Sequence, residues 1–255
     1  MKKYLINYAD RTYAQWERDK FYESQKRNCK TGLDIGGFDE ARPYLIEDLD
    51  ERFKEENKSI LQQEKGGGFW LWKPYVILKQ LDLMEEGDLL FYCDSACDFI
   101  GSIDPLIEVL DDFSGDKQML LFELEDYHLN RQWTKRDCFI NMNMDNEEVT
   151  NSVMLNAAFL MMRKSSFVID FVKEWFELCK DENLLTDVDN KLGKPNYDDF
   201  RAHRHDQSLL SLMGKKHNIF TIADISQYGW DKRQRFNQEN QRNIQQVVDH
   251  HRKGW

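Results

Sequence analysis

Hydrophobic residues in this chain fall into short unbroken runs separated by amphipathic stretches. Leu89 to Cys93, LLFYC, lies between Gly87-Asp88 and Asp94 and has the length and character of a strand covered on both faces. Tyr4 to Tyr8, Gln118 to Leu124 and Leu155 to Met162 read the same way. Between these runs apolar positions recur at helical spacing. Ile77, Leu78, Leu81 and Met84 follow Pro74, which suits a first helical turn; Phe167, Phe171, Trp175 and Leu178 share one face of Ser165 to Lys180. Further helices are expected over Thr12 to Asn28, Glu47 to Gln63 (Leu49, Phe53, Ile60 and Leu61 inward), Pro105 to Leu110, His205 to His217 and a glutamine- and asparagine-rich tail. Gly32 to Phe38 reads as a second strand or a loop, Asn218 to Ile222 as extended, and Leu184 to Tyr197 as a loop. Strands alternating with helices predict an α/β fold, a mostly parallel central sheet flanked by helices.

Composition narrows the class. The chain has 255 residues, 41% of them hydrophobic, and no Pro-, Gly- or Ser-rich linker divides it, so one domain over 1–255 is expected. The net charge of −11 argues against a nucleic-acid partner held by phosphate neutralisation. The opening MKKYLINYAD is too briefly apolar for a signal peptide or a transmembrane segment, so a cytoplasmic protein is expected, with peripheral membrane association left open. Five scattered cysteines signal neither a disulfide framework nor a zinc site, and Cys93 suits the interior of its strand. A first strand leading into a helix is how nucleotide-binding α/β domains begin. Neither GxGxxG nor GxxxxGK[ST] follows it, while Tyr8, Ala9 and Asp10 remain placed to line a base pocket.

Four patches carry the candidate chemistry. Asp94-Ser95-Ala96-Cys97-Asp98 falls at the carboxyl end of a strand, the edge where open α/β sheets bind ligands; a carboxylate there suits Mn²⁺ or Mg²⁺ on a diphosphate, and equally suits a turn. Asn156-Ala157-Ala158-Phe159 opens a strand with small residues and an amide that both donates and accepts, or is a structural turn. His203-Arg204-His205-Asp206-Gln207-Ser208 begins a helix: Asp206 and Gln207 either hold sugar hydroxyls or serve as first-turn residues. By spacing, His203, His205 and His217 suit surface or capping roles better than metal ligation. Asp249-His250-His251-Arg252-Lys253-Gly254-Trp255 offers two histidines and two cations to a metal or a departing diphosphate, or is a frayed basic tail.

Taken in order, these patches resemble those of GT-A fold glycosyltransferases, in particular the glycogenin-like and lipopolysaccharide galactosyl- and glucosyltransferase-like families. Those families carry a DxD at a strand end, an Asn-Ala/Ser-Gly strand start, an Asp-Gln helix start and a late His-x-x-Gly. Here the matching positions are Asp94-Ser95-Ala96, Asn156-Ala157-Ala158, Asp206-Gln207 and His251-Arg252-Lys253-Gly254. The stretch GGGFWLWKPYVILKQL with YCDSACD also resembles small bacterial and viral glycosyltransferase-like proteins over most of the chain. The resemblance implies a single GT-A-like domain, with 1–100 mainly nucleotide-binding and 101–255 mainly sugar- and acceptor-binding. It implies transfer of a hexose from a nucleoside diphosphate sugar, a uridine one, to a glycan acceptor hydroxyl with retention. Asn156, Asp206 and Gln207 would be catalytic. Tyr8, Ala9, Asp10, Lys73, Asp94, Ser95, Lys135, Arg136 and Arg252 would hold the nucleotide, and the Trp133 region would offer the acceptor an aromatic platform. An inverting reaction would instead need a base, for which Glu123, Glu125 and Asp126 are candidates. The implied cofactor is Mn²⁺ or Mg²⁺ on Asp94 and His251, with Asp98 and His250 as alternates. Ala96 replaces the second aspartate of DxD, leaving open whether an ion or the cations Lys135, Arg136 and Arg252 stabilise the diphosphate. Two other readings stand beside this one: a non-catalytic carbohydrate-binding protein on the same fold, and a metal-dependent hydrolase.

Overall fold

The structure is a computed structural model describing residues 1–9 and 15–251, with side chains described for 1–9 and 20–251. Among the described residues, six helices of ten or more residues and eight strands form its frame. In chain order they are β1 (Lys3–Ala9), α1 (Gln15–Thr31), β2 (Glu40–Leu45), α2 (Trp72–Leu83), β3 (Leu89–Cys93), β4 (Cys97–Phe99), α3 (Asp104–Phe113), β5 (Met119–Glu123), β6 (Leu155–Arg163), α4 (Ser166–Cys179), α5 (Asp206–Lys216), β7 (Thr221–Ala223), α6 (Trp230–Asn240) and β8 (Val248–His250).

The main sheet has the order β2-β1-β3-β6-β5-β7. Its pairings are parallel except where β6 meets β3 and β5, so five strands run one way and β6 the other. Side-chain alternation along the central strands divides the core in two. Ile6, Leu90 and Tyr92 face a cluster with Val76, Ile77, Phe171, Trp175 and Leu209 from α2, α4 and α5. Leu5, Phe91 and Cys93 face Leu106 and Val109 of α3, with Ile244 and Val248 from the tail. Burying each such Leu or Phe contributes roughly 1.5–3 kcal/mol relative to exposure. The result is an α/β/α stack. No helix among the described residues is long and apolar enough to cross a membrane.

Three expectations needed correction. Gly32 to Phe38 is neither strand nor plain loop: Gly32–Gly36 forms a π-helical turn, and the strand is the polar Glu40–Leu45. That strand lies at the sheet edge, where Pro43 and exposed charges are tolerated. The expected helix over Glu47 to Gln63 breaks into Glu51–Glu56 and Lys58–Leu61, with Asn57 between them at φ −116°, ψ 21°. Leu49, Phe53 and Ile60 are nonetheless buried as expected. Val248–His250 of the tail are not frayed, because β8 pairs antiparallel with β4 and sets Cys97 opposite His250.

Candidate active site

The carboxyl ends of the parallel strands open into a cleft of about 660 Å³. β1 delivers Tyr8 and Ala9, and β3 delivers Asp94 in the turn that follows it. Because β6 runs in reverse, its first residues reach the same edge: Asn156 lies opposite Phe122 of β5, and the Asp94 amide donates to the Ala158 carbonyl at 2.6 Å. The reversed strand is what brings the second patch to the first. α5 points its first turn, Asp206 and Gln207, into the same space, and the Trp175 indole donates to the Asp206 carbonyl at 3.1 Å from α4.

Lys73 lies at the centre of this arrangement. It begins α2, is 2% exposed, and donates to the Ala157 carbonyl at 2.9 Å. Its Nζ is 3.3 Å from Asp94 Oδ1 and 3.1 Å from Asp206 Oδ2. One ammonium thus joins three of the four patches. Burial pushes the Asp206 carboxyl up to about 6, and the Lys73 charge and its hydrogen bonding pull against that rise. The Lys73 ammonium is held above its ordinary value because attraction to Asp206 and Asp94 outweighs the opposing effect of burial. The Tyr92 hydroxyl donates to Asp94 Oδ1 at 2.6 Å.

Asn156 and Gln207 both line the cleft while being fixed from behind. The Asn156 amide donates to Asp224 at 2.7 Å and its Oδ1 accepts from the Ala158 amide. The Gln207 amide donates to the Leu155 carbonyl at 2.9 Å, which leaves its Oε1 as the acceptor to offer a ligand.

Residues 66–70 form an unusual wall. Gly66, Gly67, Gly68, Phe69 and Trp70 all have positive φ, between 53° and 92°, a turn of left-handed helix that only glycine adopts without cost. Trp72 donates its indole N–H to the Gly66 carbonyl and stacks on Tyr8 with centroids 3.9 Å apart. Trp70 stacks on His205, which itself sits at φ 54°, ψ −120° before α5.

His203 and His205 correct the expectation of surface histidines. They are 5% and 3% exposed and both line the cleft. His203 Nε2 donates to the Leu184 carbonyl while Nδ1 accepts from the Lys135 amide; this pattern requires the neutral ring. His205 donates through Nδ1 to the Leu185 carbonyl. Burial depresses His203 well below its ordinary value and His205 to about 4. His217 does close the far end of α5, paired with Glu174 at 2.8 Å.

Several expected site residues lie elsewhere. Lys135 is buried and turned to the Val188 carbonyl. Arg136 pairs with Asp145 at 2.9 Å and lies over Tyr197. Asp98 faces away from the cleft toward Arg27 and His251, because alternate residues of β4 and β8 point to opposite sides. His250, not His251, lines the cleft. Asp10 and Arg252 lie outside the described residues. Trp133, by contrast, does line the cleft, with Arg204 over its ring at 4.2 Å and Arg201 at 5.6 Å. Lys65 and Arg204 line the cleft without having been singled out as nucleotide contacts, since isolated surface cations carry no pattern.

The donor set is too small for a divalent ion: of the expected ligands Asp94, Asp98, His250 and His251, only Asp94 and His250 line the cleft. Mg²⁺ and Mn²⁺ take about six oxygen ligands. Asp94 already gives Oδ1 to Lys73 and Tyr92, Ser95 and Ala96 add no carboxylate, and Asp98 is paired elsewhere. Among the described residues no group of three His, Cys, Asp or Glu side chains is placed to hold a metal.

Neither a protein-family model nor a curated protein matches the chain. Solved structures do. Mouse xyloside xylosyltransferase 1 in its apo form aligns at 10% identity over 99% of this chain and 98% of its own, with a TM-score of 0.51. The apo WbbM bifunctional glycosyltransferase aligns at 9% identity over 98% of this chain with a TM-score of 0.52, this chain spanning 46% of its length. With its mostly parallel six-stranded sheet and single reversed strand, the chain has the GT-A glycosyltransferase fold.

Proposed function

We propose that the protein transfers a hexose from a nucleoside diphosphate sugar, a uridine one by its resemblance, to a hydroxyl of a glycan acceptor. The observation that carries this reading is the convergence of Asp94, Asn156, Asp206 and Gln207 on one cleft, with Lys73 tying both aspartates and the Ala157 carbonyl together.

In this reading the nucleotide lies across the ends of β1 and β3, beside Tyr8, Ala9 and Ser95. The carboxylates of Asp94 and Asp206 accept from hydroxyls of the donor sugar, and Gln207 Oε1 serves as a further acceptor. Lys65 and Arg204 meet the charge that grows on the leaving diphosphate, which is electrostatic stabilisation of the departing group. Retention agrees with the surroundings of the alternative bases. Glu123 is engaged by Lys232 and Lys215 and Asp126 by Lys232 and Arg235; neither these two nor Glu125 line the cleft.

Incubation with a panel of uridine diphosphate sugars, following nucleotide release with and without oligosaccharide acceptors, tests the proposal. Release that rises with acceptor is the expected outcome. Neither turnover nor calorimetric binding of any sugar nucleotide would defeat it.

A further inference from the structure

We propose that the buried Lys73 ammonium, held between Asp94 and Asp206, supplies the positive charge this site needs, so that the nucleotide binds without a metal. The inference rests on the nucleotide-sugar reading above and adds the means by which the site is neutralised.

Two carboxylates facing one small space repel each other unless a cation lies between them. Here that cation is built into the chain. Lys73 Nζ is 3.3 Å from Asp94 and 3.1 Å from Asp206, and its hydrogen bond to the Ala157 carbonyl fixes it between them. Its side chain is 3% exposed and that of Asp206 is 5% exposed, so neither group can swing into water to make room. A divalent ion brought to Asp94 would meet an ammonium on Oδ1 and would find no second carboxylate in Ser95 or Ala96. Like charges that close are costly where water is excluded.

The diphosphate then needs other cations. Lys65 suits that role because it lines the cleft, and its 2.7 Å pair with Asp187 is half exposed on both sides. A pair of that kind holds weakly and can exchange a carboxylate for a phosphate oxygen. Arg204 lines the cleft beside it.

The experiment compares UDP binding to the full chain by calorimetry in EDTA and in millimolar Mn²⁺, alongside a Mn²⁺ titration of the protein alone read by electron paramagnetic resonance. Dissociation constants within about twofold of each other, with the Mn²⁺ signal remaining that of free ion, are expected. Tightening by Mn²⁺ of about tenfold or more, or loss of free-ion signal in the protein-alone titration, would overturn the proposal. If UDP binds in neither buffer the nucleotide-sugar reading falls, while the Mn²⁺ titration still decides the metal question. Lys73→Met releases both carboxylates, and a folded variant is expected to bind Mn²⁺ that the parent does not; a folded variant with no gain counts against the ammonium as the replacement. Should Lys73→Met fail to fold, the wild-type measurements stand alone. Lys65→Ala should weaken UDP binding in EDTA by about tenfold, and unchanged affinity would remove Lys65 from the account.

Discussion

Asp94 and Asp206 share a lysine but differ in what their loss would do. The Asp94 side chain is 31% exposed and that of Asp206 is 5% exposed, so Asp94 is the group that can be removed with least structural penalty. Asp94→Ala should lose nucleotide release by about a hundredfold or more while lowering stability by roughly 2–4 kcal/mol, since the Tyr92 hydroxyl loses an acceptor and the buried Lys73 ammonium keeps only Asp206. Circular dichroism and thermal melts check the second part; an active variant would place the chemistry elsewhere. Asp206 predicts a pH dependence instead. Burial pushes its carboxyl up to about 6 against the pull of Lys73, and the proposed role needs the ionised form as an acceptor of sugar hydroxyls. Donor affinity should therefore fall as pH drops through about 6, and Asp206→Asn should bind weakly at every pH and lack that limb. A wild-type profile flat from pH 5 to 8 would detach Asp206 from the donor.

The elements of the site differ in how readable they were. The LLFYC strand, the two amphipathic helices and the Asp-Gln helix start follow from apolar period and capping chemistry alone, and each occurs where the sequence places it. The direction of β6 does not follow, because an apolar run has no sense of up or down until the segment before it is folded. Register is equally hidden: which of His250 and His251 faces the cleft depends on how β8 seats against β4, and one residue of slip exchanges them. Lys135 and Arg136 resembled free cations because their partners, Val188 and Asp145, follow them by 53 and 9 positions. Three successive glycines, Gly66 to Gly68, predict a loop from sequence but not its left-handed turn. That turn makes its own prediction. A Cβ at Gly68 would lie 2.7 Å from the Leu61 backbone at φ +92°, a clash that cannot be relieved by a side-chain rotation. Gly68→Ala should cost about 2–4 kcal/mol of unfolding free energy and displace Trp70 and Trp72 from the cleft wall, seen as a changed tryptophan emission and weakened UDP binding. A variant as stable as the parent would mean the turn is not held in this form.

For the molecule as a whole, the cleft lies at the carboxyl-end edge of the sheet, and its buried ionisable groups act on folding in opposite directions. His203 and His205 are held neutral, with His205 near 4 and His203 well below 6.5. Depressed in the folded state, they contribute stability that is present above about pH 6.5 and lost as pH falls through their folded values. Asp206 is raised, to about 6 from an ordinary 3.8, so its contribution is fully present below about pH 4 and lost as pH rises through 6. Between pH 4 and 6 the histidines favour the folded chain more as pH rises while the aspartate favours it less, and the two trends partly cancel. Removing the aspartate exposes the histidine trend. The stability of Asp206→Asn relative to the parent should climb by about 1.4 kcal/mol per pH unit across this window, roughly 3 kcal/mol in all, measured by urea unfolding at half-unit steps. Parallel curves would mean that Asp206 titrates in the ordinary carboxylate range and carries no burial penalty. A diverging pair would show that the fold bears a cost at neutral pH for keeping an ionised acceptor at the cleft floor, as expected of a group retained for its chemistry and not for stability.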